Sequence, residues 1–253
     1  MTEVSRETDQ AAPAPPPAAA VIFAERLPLA VRYAELLVGA GVERGLVGPR
    51  ESARIWDRHL LNCAVLAPGL PRAALVYDVG SGAGLPGLAV AIARPDLDVV
   101  LVEPLERRAE FLSETVSLLG LPRVRVVRAR AEQLDPPGAD VVLARAVAPL
   151  ARLACWCLPL LRPDGVLLAL KGRRASTEMT AAEPTLRRLG ATAWSIEQMG
   201  LDVLEVPATM VRVTAGSPAQ KTAQKTAQKA SRPARRGASQ TTSRMRGTAK
   251  GHR

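Results

Sequence analysis

The chain has 253 residues, 47% of them apolar, and its 34 Lys and Arg against 24 Asp and Glu give a formal net charge of +10. That length suits one globular domain with appendages, an apolar share near half can fill a core, and no apolar run reaches the roughly 18 residues of a membrane span. Cys63, Cys155 and Cys157 are an odd number without metal-ligand spacing, which argues against disulfides and zinc and for a cytoplasmic protein.

The first twenty residues, with Ala-Pro-Ala-Pro-Pro-Pro at 12–17, are expected to form an unfolded arm without the features of a secretory leader. Apolar residues at helical spacing over 27–39 and 53–67, stopped by Gly41 and by Pro68-Gly69, predict a small helical cap over about 21–70. Runs rich in Val and Leu then predict strands at 74–79, 98–102, 124–128, 140–144 and 166–170. Helical segments at 85–94, 104–119 and 149–161 separate most of them, so a parallel sheet covered on both faces, with right-handed crossovers, is expected. A helix near 178–189 leads to strands at 191–196 and 203–213 with no helix between, and these last two should pair antiparallel.

The charge belongs to one end. Residues 215–253 hold ten Lys and Arg and no acid, so residues 1–214 are balanced. This tail opens with the repeat Ala219-Gln-Lys-Thr, Ala223-Gln-Lys-Thr, Ala227-Gln-Lys-Ala and offers almost nothing apolar to bury, so disorder is expected. It reads either as a flexible basic arm attracted to phosphates or as a solubilising extension. The domain is accordingly placed at 21–214.

Residues 76–87 carry the most information: an apolar strand passes through Asp78 into a loop with glycines at Gly80, Gly82, Gly84 and Gly87. Glycine reaches positive φ without steric cost and lets backbone approach a ligand, and the N-terminus of the following helix is expected to point at it. Gly82, Gly84 and Gly87 satisfy the dinucleotide pattern G-x-G-x-x-G. Asp78 placed two residues before Gly-x-Gly-x-Gly instead matches the first motif of S-adenosylmethionine (SAM) methyltransferases, where the acid meets the cofactor's ammonium end. The closing antiparallel pair favours the second reading. The expected fold class is therefore α/β: a doubly wound, Rossmann-like class I SAM-dependent methyltransferase sheet with an antiparallel last strand.

A doubly wound sheet binds its ligand at the carboxyl ends of the strands. Glu103 ends the second strand about twenty residues after the glycine loop, where a carboxylate accepts ribose hydroxyls; the alternative is a solvated acid before Pro104. Ala131 and Glu132 follow the third strand, where adenine should lie, although an ordinary helix start reads the same way. The fourth strand ends in Leu143-Ala144-Arg145-Ala146. It shows neither the Asn/Asp-Pro-Pro-Tyr/Phe of exocyclic-amine methyltransferases nor the cysteine nucleophile of 5-methylcytosine enzymes, and Cys155-Trp156-Cys157 reads as core. Arg145 remains, a cation able to hold a carboxylate or phosphate bidentately. Guanine N7 has an in-plane lone pair that needs no deprotonation, so positioning can supply much of the rate.

Here the residues carry a family resemblance. Arg58-His59-Leu60-Leu61, the run from Asp78 to Gly87, Glu103 followed by Arg107-Arg108 and Phe111-Leu112, Arg130-Ala131-Glu132, Arg145-Ala146 and Ala169-Leu170-Lys171-Gly172 span about 25–213. In order and spacing they resemble the RsmG family, also called glucose-inhibited division protein B, bacterial 16S rRNA guanine-N7 methyltransferases. Asn62-Cys63 stands where the family usually has Asp-Ser, and Glu103 where Asp is commoner. The resemblance implies SAM contacts at Gly80, Leu85, Ala131, Glu132 and Arg145, beside Asp78, Gly82, Gly84 and Glu103 from the pattern itself. Arg145 is the expected catalytic residue. The implied reaction is methylation of N7 of guanine 527, in the 530 loop of 16S rRNA, by a monomer acting on 16S rRNA or the small subunit, with no membrane and no metal. Arg58, His59, Lys171 and Arg173 are the expected RNA contacts, with His59 equally readable as a buried core histidine. Three other functions stay open on the residues alone: a SAM enzyme for a small molecule, a non-catalytic ribosome-assembly factor, and a nicotinamide dehydrogenase.

Overall fold

The computed structural model describes residues 11–135, 138–145 and 147–216; the basic tail beyond 216 and the first ten residues lie outside them. Seven strands form one sheet: β1 (Leu75–Val79), β2 (Asp98–Val102), β3 (Val124–Val127), β4 (Ala139–Arg145), β5 (Leu161–Lys171), β6 (Ala191–Met199) and β7 (Ala208–Ala215). Their order is β3-β2-β1-β4-β5-β7-β6, parallel throughout except that β7 pairs antiparallel with both β5 and β6. The doubly wound sheet with its antiparallel last strand is thus as expected. β1 and β4 are neighbours whose crossovers leave in opposite directions, which opens a crevice at their carboxyl ends.

The helices are α1 (Pro17–Phe23), α2 (Leu27–Val38), α3 (Ala40–Glu43), α4 (Asn62–Ala64), α5 (Gly87–Ala93), α6 (Glu106–Leu119), α7 (Leu150–Cys157) and α8 (Ala175–Leu189). One core joins the cap (Phe23, Tyr33, Leu37, Leu60) to α5 and α6 on one face of the sheet. The other lies between the opposite face and α7 and α8, around Leu153, Cys157, Leu167 and Leu186. Buried on both faces, the central strands need continuous Val and Leu, as β2 shows with Val99, Val100, Leu101 and Val102 all at most 1% exposed. No helix among the described residues is long and apolar enough to cross a membrane.

Four expectations change. The unfolded arm expected through residue 20 gives way to helix at Pro17, because proline suits the first helical position, alanines follow, and Phe23 is buried against the cap. The single helix expected over 53–67 is instead a 3₁₀ segment, Pro49–Arg54, a π segment, Ile55–Leu61, and the short α4. The last strand begins at Ala208, not 203: Gly200 turns at φ +76°, Pro207 precedes the strand, and Leu201 and Val206 are exposed. It also runs to Ala215, past the expected domain end.

Candidate functional site

The glycine loop is built from below. Gly80 and Ser81 N–H groups donate to the Val102 carbonyl, at 2.8 and 3.2 Å, which ties the loop to the end of β2. Ser81 Oγ donates to the Asp78 carbonyl at 2.8 Å, and the buried Tyr33 hydroxyl of the cap donates to the Ala83 carbonyl at 2.9 Å. Asp78 itself is fully buried beneath the loop, where Oδ2 accepts the Gly87 N–H at 3.0 Å and Oδ1 has no hydrogen-bond partner among the described residues. The helix N-terminus expected to face a ligand is therefore capped by Asp78, and burial pushes that carboxyl up to about 7. Asp78 is not brought to the cleft wall.

Three of the glycines have separate reasons. Gly80 has φ +71°, and a Cβ there would press on Val147 at 2.9 Å. At Gly84 a Cβ would strike Leu88 at 2.4 Å and the Tyr33 hydroxyl at 2.8 Å, so this glycine serves packing. Gly82 has φ +59°, and a Cβ there would meet nothing closer than the Gly80 carbonyl at 3.9 Å. Its open side is the cleft.

That cleft, about 830 Å³, has Gly80, Ser81, Gly82 and Leu85 as its floor, and Glu103 at the end of β2. Glu103 is 2% exposed; Oε2 accepts the Gly82 N–H at 2.9 Å and Oε1 the Leu105 N–H at 3.0 Å. Each oxygen keeps a lone pair for a hydroxyl donor. Leu105 and the cap residues Leu46 and Val47 give apolar walls, while Arg130 and Gln133 close the side below β3. Ala131 is buried and Glu132 exposed, and the wall at that point belongs to Gln133, which the sequence does not single out. Arg108, from the Arg107-Arg108 pair, also lines the cleft, 4.0 Å from Glu103 Oε2.

Arg145, the last residue of β4, lies where this cleft meets a second cavity of about 890 Å³. Its Nη1 donates to Cys63 Sγ at 3.1 Å and reaches the His59 carbonyl at 3.5 Å, and its Nη2 is 2.9 Å from His59 Nδ1. His59 Nε2 in turn lies 2.7 Å from Glu51 Oε2, and Arg58 pairs with Glu51 Oε1 at 3.2 Å. An arginine only donates, so Nδ1 must accept, and Nε2 carries the proton and donates to Glu51. Burial, with the Arg145 charge, lowers the His59 pKa despite Glu51 and keeps the ring neutral near pH 7.

The second cavity is basic: Arg58, Arg145, Lys171, Arg173 and Arg174 line it, with Asn62 and Glu178. Lys171 is not free in it. Its Nζ donates to the Ala148 carbonyl at 2.7 Å and to Glu178 Oε2 at 2.8 Å, and its side chain is 5% exposed. Burial disfavours the charged form of Glu178, but Lys171 and the Leu150 N–H outweigh it and hold the carboxyl below its ordinary range. Arg173 is exposed at the rim.

No thiol is placed for attack. Cys63 and Cys157 are fully buried, burial pushes both thiols up, and Cys155 is exposed on α7 rather than in the core expected for it. Among the described residues no group of three or more His, Cys, Asp or Glu side chains is set to hold a metal ion.

The family model described as rRNA small subunit methyltransferase G matches residues 26–203. A protein of Streptomyces avermitilis named ribosomal RNA small subunit methyltransferase G is 53% identical over 206 residues, covering 81% of this chain and 87% of that protein. One of the same name from Salinispora arenicola is 55% identical over 211 residues, covering 79% and 87%. A crystal structure of a putative S-adenosyl-L-methionine-dependent methyltransferase from Methanococcus maripaludis shares the fold, at TM-score 0.54 and 12% identity, over 73% of this chain and 94% of that one. The chain belongs to the rRNA small subunit methyltransferase G family. That family is one of SAM-dependent methyltransferases, so the chain is such an enzyme, and the dehydrogenase and the non-catalytic factor are set aside.

Proposed function

We propose that this member of the family transfers the methyl group of SAM to N7 of a guanine in 16S rRNA, guanine 527 of the 530 loop, as a cytoplasmic monomer without a metal. The reading of the acceptor is supported by what surrounds Arg145: a neutral histidine, a buried thiol, and the Glu178 carboxyl held ionised by Lys171. The Nδ1 lone pair is taken by Arg145, Nε2 holds its proton against Glu51, and Glu178 is paired with Lys171, so none is free to take a proton from an acceptor. N7 needs no such base, because its lone pair lies in the ring plane.

The cleft fits the cofactor on its own geometry. Gly82 leaves open the space that a Cβ would fill, Glu103 offers carboxylate lone pairs to vicinal hydroxyls, and Leu46, Val47 and Leu105 give apolar walls for a base. SAM supplies an electrophilic methyl on a sulfonium. Arg145 sits between cofactor cleft and basic cavity, where its guanidinium orients the two against each other. Arg58, Arg173 and Arg174 around the second cavity attract phosphates of the rRNA, and the cavity receives the target nucleotide.

The test incubates purified protein and methyl-labelled SAM with naked 16S rRNA or with small subunits from cells lacking the gene, followed by nuclease digestion and mass mapping. Label in 7-methylguanosine at one nucleotide of the 530 loop is expected. Label in a cytosine, in an exocyclic amine or in no RNA would overturn the reading.

A further inference from the structure

His59 and Glu51 lie in the cap, outside the sheet, yet they end at the atom group where the two cavities meet. The π segment Ile55–Leu61 presents His59 toward β4, and such segments recur at functional sites because the widened turn displaces a side chain from its helical position. His59 is 12% exposed, with both ring nitrogens engaged: Glu51 Oε2 at 2.7 Å and Arg145 Nη2 at 2.9 Å. Arg145 stands at the end of a strand on a long, rotatable side chain. Its other hydrogen bonds among the described residues are to Cys63 Sγ, a weak acceptor, and to the His59 carbonyl at 3.5 Å. Much of what fixes the guanidinium therefore comes from the imidazole.

We infer that Glu51 and His59 are positioning residues for methyl transfer: the neutral imidazole, oriented by Glu51, holds Arg145 at the junction of the two cavities, and a proton added at Nδ1 releases it. The inference rests on the proposed role of Arg145 between cofactor and nucleotide. Protonated Nδ1 has no lone pair and would face the guanidinium as a second cation, so the contact changes sign. The charged groups facing His59 are Glu51 from the 3₁₀ segment, Arg58 from its own segment and Arg145 from β4; Cys63, Asp78 and Tyr33 stand behind Arg145.

Single-turnover methyl transfer by the full chain, followed from about pH 5 to 8, tests this against His59→Leu, His59→Asn and Glu51→Gln. His59→Leu removes the acceptor and should lose at least about tenfold at pH 7.5. His59→Asn places an amide oxygen where Nδ1 was and should recover most of the rate, while losing the acid-side fall that wild type shows as His59 protonates. Glu51 stabilises the imidazolium, so Glu51→Gln should move that fall to lower pH. Thermal midpoints and SAM affinity are measured on each variant. A His59→Leu protein with wild-type rate, or an unchanged acid-side fall in His59→Asn, would overturn the inference. Wild-type protein that methylates no guanine N7 would instead overturn the proposed function.

Discussion

Lys171 and Glu178 form an ion pair 2.8 Å long across the loop that follows β5, and the same carboxylate oxygen accepts the N–H of Leu150 at the start of α7. Lys171 is thereby a strut that ties β5, α8 and the 147–149 segment together, with its ammonium already engaged by Glu178 and Ala148. Truncating it leaves the Glu178 carboxylate and the Ala148 carbonyl without their donor. Lys171→Ala should therefore cost about 1–3 kcal/mol, less than the 3–5 of a fully buried pair because Glu178 is 28% exposed. Urea denaturation measures it, and a double-mutant cycle with Glu178→Ala should show strong coupling. A stable Lys171→Ala protein with weakened RNA binding would show that Lys171 serves as an RNA contact and not as a strut.

Asp78 predicts a pH dependence of opposite sign to the usual carboxylate. Its folded pKa is raised from 3.8 to about 7, so its contribution is complete below the unfolded value and is lost as pH rises through 7. Asn at this position keeps an acceptor for the Gly87 N–H without the buried charge. Asp78→Asn should be the more stable protein at pH 8, by up to about 4 kcal/mol, with little difference below pH 4. Thermal unfolding of both proteins across that range checks the sign; equal midpoints at pH 8 would mean that the carboxylate is solvated.

Gly82 and Gly84 should respond differently to a side chain. Gly82→Val carries the strain of positive φ, about 1–2 kcal/mol, and fills the floor of the cleft, so SAM affinity should fall at least tenfold, about 1.4 kcal/mol. Gly84→Ala pushes into Leu88 and Tyr33, away from the cleft, and should lower the thermal midpoint first. Calorimetry on folded protein separates the two. Unchanged SAM binding by folded Gly82→Val would remove the cofactor from this cleft.

The alternation of Val-rich runs with helical periods made the sheet legible, since each strand end fell within a few residues of its place, and Arg145 and Glu103 followed from their positions at those ends. The partners of the site were not legible. Asp78 looks like a ligand in sequence because its offset from the glycines is right, but its use beneath the loop depends on how tightly Gly87 approaches β1. Glu51 and His59 are eight residues apart, which in one regular α-helix is about 12 Å of rise and out of hydrogen-bond reach; they meet because a 3₁₀ segment runs into a π segment. The pairing of Lys171 with Glu178 likewise needs the turn at 172–174, which neither period reveals.

The basic tail should assist encounter with RNA without choosing the nucleotide. Its ten Lys and Arg, with no acid, attract phosphates by releasing counterions, an effect that weakens steeply as salt rises. Truncation must spare β7, which runs to Ala215, and Gly216, whose N–H donates to the Gly190 carbonyl at 2.9 Å. A chain ending at Gly216 should therefore fold and bind SAM as the full chain does. It should bind rRNA more weakly at about 50 mM salt, converge with the full chain near 200 mM, and label the same nucleotide. Paired binding curves at the two salt concentrations and mass mapping of the product measure both halves. Identical salt slopes would leave the tail a solubilising extension, whereas a shifted methylation site would make it part of substrate selection.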